Sequence, residues 1–249
     1  MKHVTIITPT GHRPAAILLL KKYIEAQSFN GNITWIIVND GSIEHVPFGS
    51  ANRDGIETTV LKATTPWQPG YNTQRLNWID ALKRVPKNTE AIFCMEDDDY
   101  YAPEYISVYT ELLKAFDLVG EGNNKYYYVP GKCYKEMKNY SHTSLSSCAF
   151  IIQILPTFLK ALHSGQVFFD ITFWEQAQED KVKSILFVNQ NLPIGMKGLP
   201  GRPGIGVGHV PENYTSDPFF ETLDEWCRDS ANNYVPFMPE KFRRKISRS

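Results

Sequence analysis

Short uncharged runs alternate with segments of helical spacing through the first half of the chain. That alternation admits few folds, and it predicts a mainly parallel sheet covered by helices. Val4–Thr8 reads as the first strand. After the breaker Pro9-Thr10-Gly11, the stretch Pro14–Gln27 sets Ile17, Leu20 and Ile24 at helical spacing, with Pro14 suited to a first turn. Thr34–Val38 and Thr58–Lys62 follow as strands, each ended by polar or Gly/Pro residues. Asn72–Val85 carries Leu76, Ile79 and Leu82 on one helical face, Ala91–Met95 is a further strand, and Pro103–Phe116 is a helix bearing Ile106, Tyr109, Leu112 and Leu113. The second half is less regular: Tyr126–Val129, Ser147–Ile152 and Ser184–Val188 read as strands, Pro156–His163 and Ile171–Gln178 as short helices, and loops dominate beyond.

With 249 residues and 42% hydrophobic content the chain can bury a sizeable core, and a single domain over 1–249 is expected. Its formal net charge of −1 provides no overall field to draw in nucleic acid or an anionic membrane, so any polyanion contact must be local. No apolar run is long enough to span a bilayer, and the strand-like Val4-Thr5-Ile6-Ile7 follows Met1-Lys2-His3 too closely for a signal peptide. The expectation is a cytoplasmic protein without stable membrane insertion. Four cysteines, with no Cys-x-x-Cys pair, read as buried thiols in a reducing compartment, and sequons at Asn32, Asn139 and Asn213 as chance occurrences. The basic segment Lys241–Arg248 reads as a solvated tail.

The chemistry concentrates where strands end. Ala91-Ile-Phe-Cys-Met-Glu-Asp-Asp-Asp99 is an apolar run that stops in three consecutive aspartates, and the carboxyl end of such a strand faces the crevice where open α/β sheets bind ligands. Three like charges packed there call for a cation, a helix dipole or solvent, so Asp97, Asp98 and Asp99 are candidates to hold a divalent metal. Two other early strands end in polar groups expected along the same edge, Thr8-Pro9-Thr10 and Asn39-Asp40-Gly41-Ser42. Farther on, Gly198, Gly201, Gly204, Gly206 and Gly208 fall within Lys197–His209, too many glycines for a regular element and suited to a loop that approaches a ligand.

The segments Ile6–Thr10, Ile36–Ser42 and Met95–Asp99, the last followed by Tyr101 and Pro103, resemble the family 2 glycosyltransferases, nucleotide-sugar enzymes of the GT-A fold. The resemblance implies one GT-A-type α/β domain, with a Rossmann-like sheet and a smaller acceptor-side sheet. Residues 1–110 would form the nucleotide-sugar-binding half, 111–210 the acceptor-side half and 211–249 a C-terminal extension. In such enzymes the first loop cradles the nucleotide, which falls here on Thr8, Pro9, Thr10 and Arg13, with Asp40 and Gly41 holding base or ribose. Asp-Gly is equally a turn dipeptide. The D-x-D element of the family holds manganese or magnesium (Mn2+ or Mg2+) on the diphosphate. Asp97 and Asp99 fit that spacing, Asp98 lies between them, and His209 is the implied third ligand. Lys197 and Arg202 would clamp the diphosphate. Arg75 stands where the family often has Arg-Asn, although Leu76 separates it from Asn77. Trp67 and Tyr71 would stack on a sugar or cover the core.

An inverting transfer also needs a general base near the acceptor hydroxyl. Asp170 in Phe168-Phe169-Asp170-Ile171 is the first candidate and Glu175 the second, because flanking aromatics would desolvate the carboxylate, although aspartate also caps helices readily. The resulting expectation is a metal-dependent transferase that moves a sugar from a UDP-sugar to an acceptor hydroxyl with inversion. The alternatives are a nucleotidyltransferase of related fold and a non-catalytic nucleotide- or sugar-binding module. The acceptor stays open among glycan, lipid-linked sugar, protein, small molecule and modified DNA base.

Overall fold

The computed structural model describes residues 1–41, 53–188, 190–202, 204 and 209–240. Ser42, Gly206, Gly208 and the basic segment from Lys241 lie outside the described residues. The main sheet has seven strands: β1 (His3–Thr10), β2 (Asn32–Asn39), β3 (Ile56–Lys62), β4 (Ala91–Cys94), β6 (Leu118–Glu121), β9 (Cys148–Ile151) and β10 (Ser184–Phe187), in the order β10-β6-β9-β4-β1-β2-β3. β1 runs parallel to β2 and β4, β2 parallel to β3 and β10 parallel to β6, while β9 is antiparallel to both its neighbours. The mainly parallel sheet expected from the sequence is therefore present.

Helices cover both faces, which is why these strands are apolar at successive positions rather than alternately. Val4, Ile6 and Phe93 point to α1 (Pro14–Glu25) and α3 (Tyr105–Leu112); Ile7, Ile92 and Cys94 point to α2 (Gln74–Leu82), α4 (Leu155–His163) and α5 (Phe169–Glu179). Each fully buried Ile or Phe of these layers contributes about 1.5–3 kcal/mol. Pro14 occupies the first turn of α1 as expected. All four cysteines are free thiols, and Cys133 is half-buried rather than buried.

The second sheet has five strands in the order β12-β8-β7-β11-β5, formed by β5 (Tyr100–Tyr101), β7 (Lys125–Tyr128), β8 (Cys133–Glu136), β11 (Pro193–Lys197) and β12 (Thr215–Ser216). Sequence patterning anticipated only β7 among these. β11 lies where loops were expected to begin, and its residues are all buried. Its Gly195 and Pro193 are poor strand formers, and it forms because it pairs with β7 on one side and β5 on the other. The helix α6 (Glu221–Cys227) also lies in the region read as loop, and its Leu223 and Trp226 close the core beneath this sheet.

Candidate active site

Because β1, β2 and β4 are parallel, their carboxyl ends meet at one edge, and the polar residues that follow them come together there. Thr10 Oγ1 donates to Asp97 Oδ2 at 2.6 Å, and the Arg13 guanidinium lies 2.8 Å from Asp97 Oδ1 and 3.1 Å from Asp98 Oδ2. From β11, Lys197 Nζ reaches Asp99 Oδ1 at 2.8 Å and Asp98 Oδ1 at 3.7 Å, while the Met196 N–H donates to Asp99 at 3.0 Å. After β2, the Asp40 carboxylate accepts from Arg202 at 2.8 and 3.3 Å, from Asn77 Nδ2 at 2.9 Å and from the Thr73 hydroxyl. Arg202 also lies over the Trp67 ring, 5.0 Å from its centroid.

Thr10, Arg13, Asp97, Asp98, Lys197 and Arg202 border a cavity of about 480 Å³, with Asp40 and Asp99 behind them. Pro9, Thr10, Arg13, Trp67, Tyr71, Asp97, Asp98, Lys197, Arg202 and His209 line one part of it. Asn124, Tyr126, Asn139, His142, Phe168 and Asp170 line the other. Asp170 stands in the first turn of α5, so one helix start supplies both a carboxylate and the apolar rim around it. Burial raises its pKa, opposed by backbone N–H groups of Ile171 and Leu145 and by the nearby His142.

Four of the expected residues stand elsewhere. Thr8 Oγ1 accepts from the buried Trp35 Nε1 at 3.0 Å, so this hydroxyl serves the core rather than a nucleotide. Arg75 points away to the Leu162 carbonyl at 3.2 Å. Glu175 is exposed on α5 and is not among the cavity-lining residues. Gly41 follows Asp40 without lining the cavity, its N–H held by Asn39 Oδ1 at 2.9 Å.

The acidic cluster includes a residue that the sequence reading did not single out. Glu96, Asp98 and Asp99 each present a carboxylate oxygen within 4.8 Å of the others, whereas Asp97 is turned to Thr10 and Arg13. Strand alternation puts Glu96 and Asp98 on one side and Asp97 on the other; the chain leaves β4 at Cys94, and the turn that follows brings Asp99 to Glu96 and Asp98. The unbroken Glu-Asp-Asp-Asp run was the available signal. Four buried or half-buried carboxylates face two cations, Arg13 and Lys197. Burial, reinforced by the neighbouring acids and opposed by Lys197, pushes Glu96 up to about 8 and Asp99 up to about 6. Asp98 is held below its ordinary value, burial being outweighed by Lys197 and Arg13. Lys197 itself is raised well above its usual range because the acids outweigh its burial. Burial lowers His209 to about 4, leaving a neutral ring 4.0 Å from Asp98 Oδ2. A negative oxygen donor set with a neutral imidazole alongside fits a hard divalent cation.

The sheet order, the crevice and the second sheet define a GT-A-type α/β fold. The chain is similar in structure to TarS of S. aureus, with TM-score 0.54 and 14% identity over 79% of this chain. A 1–349 form of TarS gives 0.57 and 15% over 79%, and the same form in complex with UDP gives 0.55 and 14% over 80%. The chain spans 37% of the longer TarS chain and 60% and 61% of the two shorter ones. No family model and no curated protein matches the sequence. No helix among the described residues is long and apolar enough to cross a membrane.

Proposed function

We propose that this protein is a metal-dependent glycosyltransferase that moves a sugar from a nucleoside-diphosphate sugar, a UDP-sugar by preference, to an acceptor hydroxyl with inversion. One observation carries the reading. Glu96, Asp97 and Asp98, which follow the parallel strand β4, and the partly desolvated Asp170 of α5 line a single cavity large enough for a nucleotide sugar, and Asp40 after β2 is tied to it through Arg202, Asn77 and Thr73. The TarS–UDP complex supports the choice of uridine nucleotide.

In this reading Asp40 and Thr10 hold the nucleoside, and Trp67 covers it. Arg13, Lys197 and Arg202 offer charge-assisted hydrogen bonds to the diphosphate, exchanging the carboxylates they now pair with for phosphate oxygens. A divalent cation held by Glu96, Asp98 and Asp99, with His209 beside them, would offset the negative charge that grows on the departing diphosphate. Asp170 removes the proton from the acceptor hydroxyl as that oxygen attacks the anomeric carbon, and the bond to the diphosphate breaks on the opposite face. Burial suits Asp170 to this task, since a carboxylate with a raised pKa is a stronger base. Residues 1–110 form the donor half and 111–210 the acceptor half, the latter lending Lys197, Arg202 and His209 to the donor.

The test is calorimetric titration with UDP, GDP, CDP and ADP sugars, with and without manganese. The expected result is manganese-dependent binding of a UDP-sugar and, on turnover, release of UDP. Release of pyrophosphate would make the protein a nucleotidyltransferase, and binding without turnover a binding module.

A further inference from the structure

The second sheet turns one face to the core, while Tyr126 and Lys197 on the other reach the cavity, and strand register identifies each face. Tyr126 lies opposite Lys135 on β8 and beside Gly195 on β11, while Tyr128 lies opposite Cys133 and beside Lys197. Ser216 of β12 pairs with Cys133, which brings Tyr214, two residues earlier, to the same side. The opposite face carries the buried Tyr127 and Met196, and Tyr134 packs edge-on against Trp226 at 5.2 Å.

Along the cavity face, cations and rings alternate. Lys197 Nζ lies 5.4 Å from the Tyr126 centroid, and Lys135 Nζ lies 5.8 Å from that of Tyr214. Gly195 makes the first of these platforms: a Cβ there would overlap the Tyr126 ring, so the missing side chain lets the ring lie across β11. The Tyr126 phenol feels both Lys197 and Asp170, which puts it between the diphosphate end and the base. The outer platform adjoins the first, because Lys135, which lies over Tyr214, is the β8 partner of Tyr126.

Residues 125–138 carry Lys125, Lys132, Lys135 and Lys138 against the single acid Glu136, on a chain whose net charge is −1. Two of these lysines are committed to the fold, Lys125 to Asn191 and Trp226, Lys132 to Pro218 and Phe220. Lys135 is half-buried over Tyr214 and forms no ion pair among the described residues, and Lys138 is exposed beside the cavity-lining Met137 and Asn139.

Resting on the glycosyltransferase reading, we propose that this face is the acceptor track and that the acceptor is a saccharide bearing acidic groups. The apolar C–H face of one sugar ring packs on Tyr126 next to Asp170, that of an outer ring packs on Tyr214, and an anionic substituent meets Lys135.

The probes are trigalacturonate and its fully methyl-esterified form, titrated by calorimetry into the intact protein saturated with UDP and manganese. Trigalacturonate is expected to bind at least tenfold more tightly than the ester. Lys135→Gln is expected to abolish that preference and leave affinity for the ester and for UDP unchanged, and Tyr214→Ala to weaken both saccharides. Neither residue lines the cavity, and UDP binding by both variants reports that the fold is kept. Equal affinity for acid and ester, an unaltered preference in Lys135→Gln, or tighter binding of oligothymidylate would each overturn the proposal. Wild type that binds UDP but neither saccharide overturns the acceptor assignment alone, whereas failure to bind UDP overturns the glycosyltransferase reading with it.

Discussion

Asp170 bears the proposed proton transfer, so replacing it separates chemistry from binding. Asp170→Asn is expected to lower kcat by about 10²–10⁴-fold while UDP affinity stays at the wild-type level, as measured by steady-state kinetics beside calorimetry. The pH profile carries a second signature. Only the ionised carboxylate accepts a proton, and burial raises its pKa above the ordinary 3.8, so kcat/KM should fall on the acid side with a midpoint above that value. This limb should vanish in Asp170→Asn. The linkage has the opposite sense for stability: the folded state holds this proton more tightly than the unfolded chain, so ionisation costs stability as pH rises through the same interval. Thr8 shows how a residue in a functional motif can belong to the core. Thr8→Val leaves the buried Trp35 Nε1 without its acceptor and is expected to cost about 1–3 kcal/mol in urea denaturation, with UDP affinity unaltered.

At the scale of elements, the wall facing Asp170 is built by a short polar clamp rather than by regular structure. Asn124 donates to Thr143 Oγ1 and Ser147 Oγ, both at 3.0 Å, and accepts from Asn139 Nδ2 at 2.6 Å and the Ser144 N–H at 2.8 Å. The Asn124 side chain thus ties Asn139, Thr143 and Ser144 of the segment that carries Met137, Asn139, His142 and Ser144 to the cavity. Asn124→Ala is expected to speed amide exchange across 137–144 while β1 and β2 amides keep their protection. Close packing sets a second limit. A Cβ at Gly120 on β6 would overlap Thr143 Cγ2 and approach Trp174 Cζ2 to 2.8 Å, so Gly120→Ala should cost about 1–3 kcal/mol and lower Tm.

For the whole molecule, ligand binding and folding are linked. Manganese with UDP at one hundred times its Kd is expected to add about 2.7 kcal/mol to unfolding and raise Tm, and chelation should reverse the gain. Asp98→Asn should abolish the manganese-dependent part, because Asp98 belongs to the carboxylate cluster and also faces the cavity. The sequence by itself determined the parallel sheet and its helices, because apolar runs bounded by turn residues admit few arrangements once both faces must be buried. It also determined that the polar strand ends meet, since parallel strands ending in Thr10, Asp40 and Asp97–Asp99 present those groups at one edge. Tertiary structure alone decided which members of each motif face the cavity. Thr8 was claimed by Trp35 and Arg75 by a distant carbonyl, while Asp99 joined Glu96 and Asp98 through a turn that no periodicity encodes. The second sheet was likewise beyond local reading. Its strand β11 is held by long-range pairing with β7 and β5, and contacts between residues far apart in the chain leave no periodic trace in either segment.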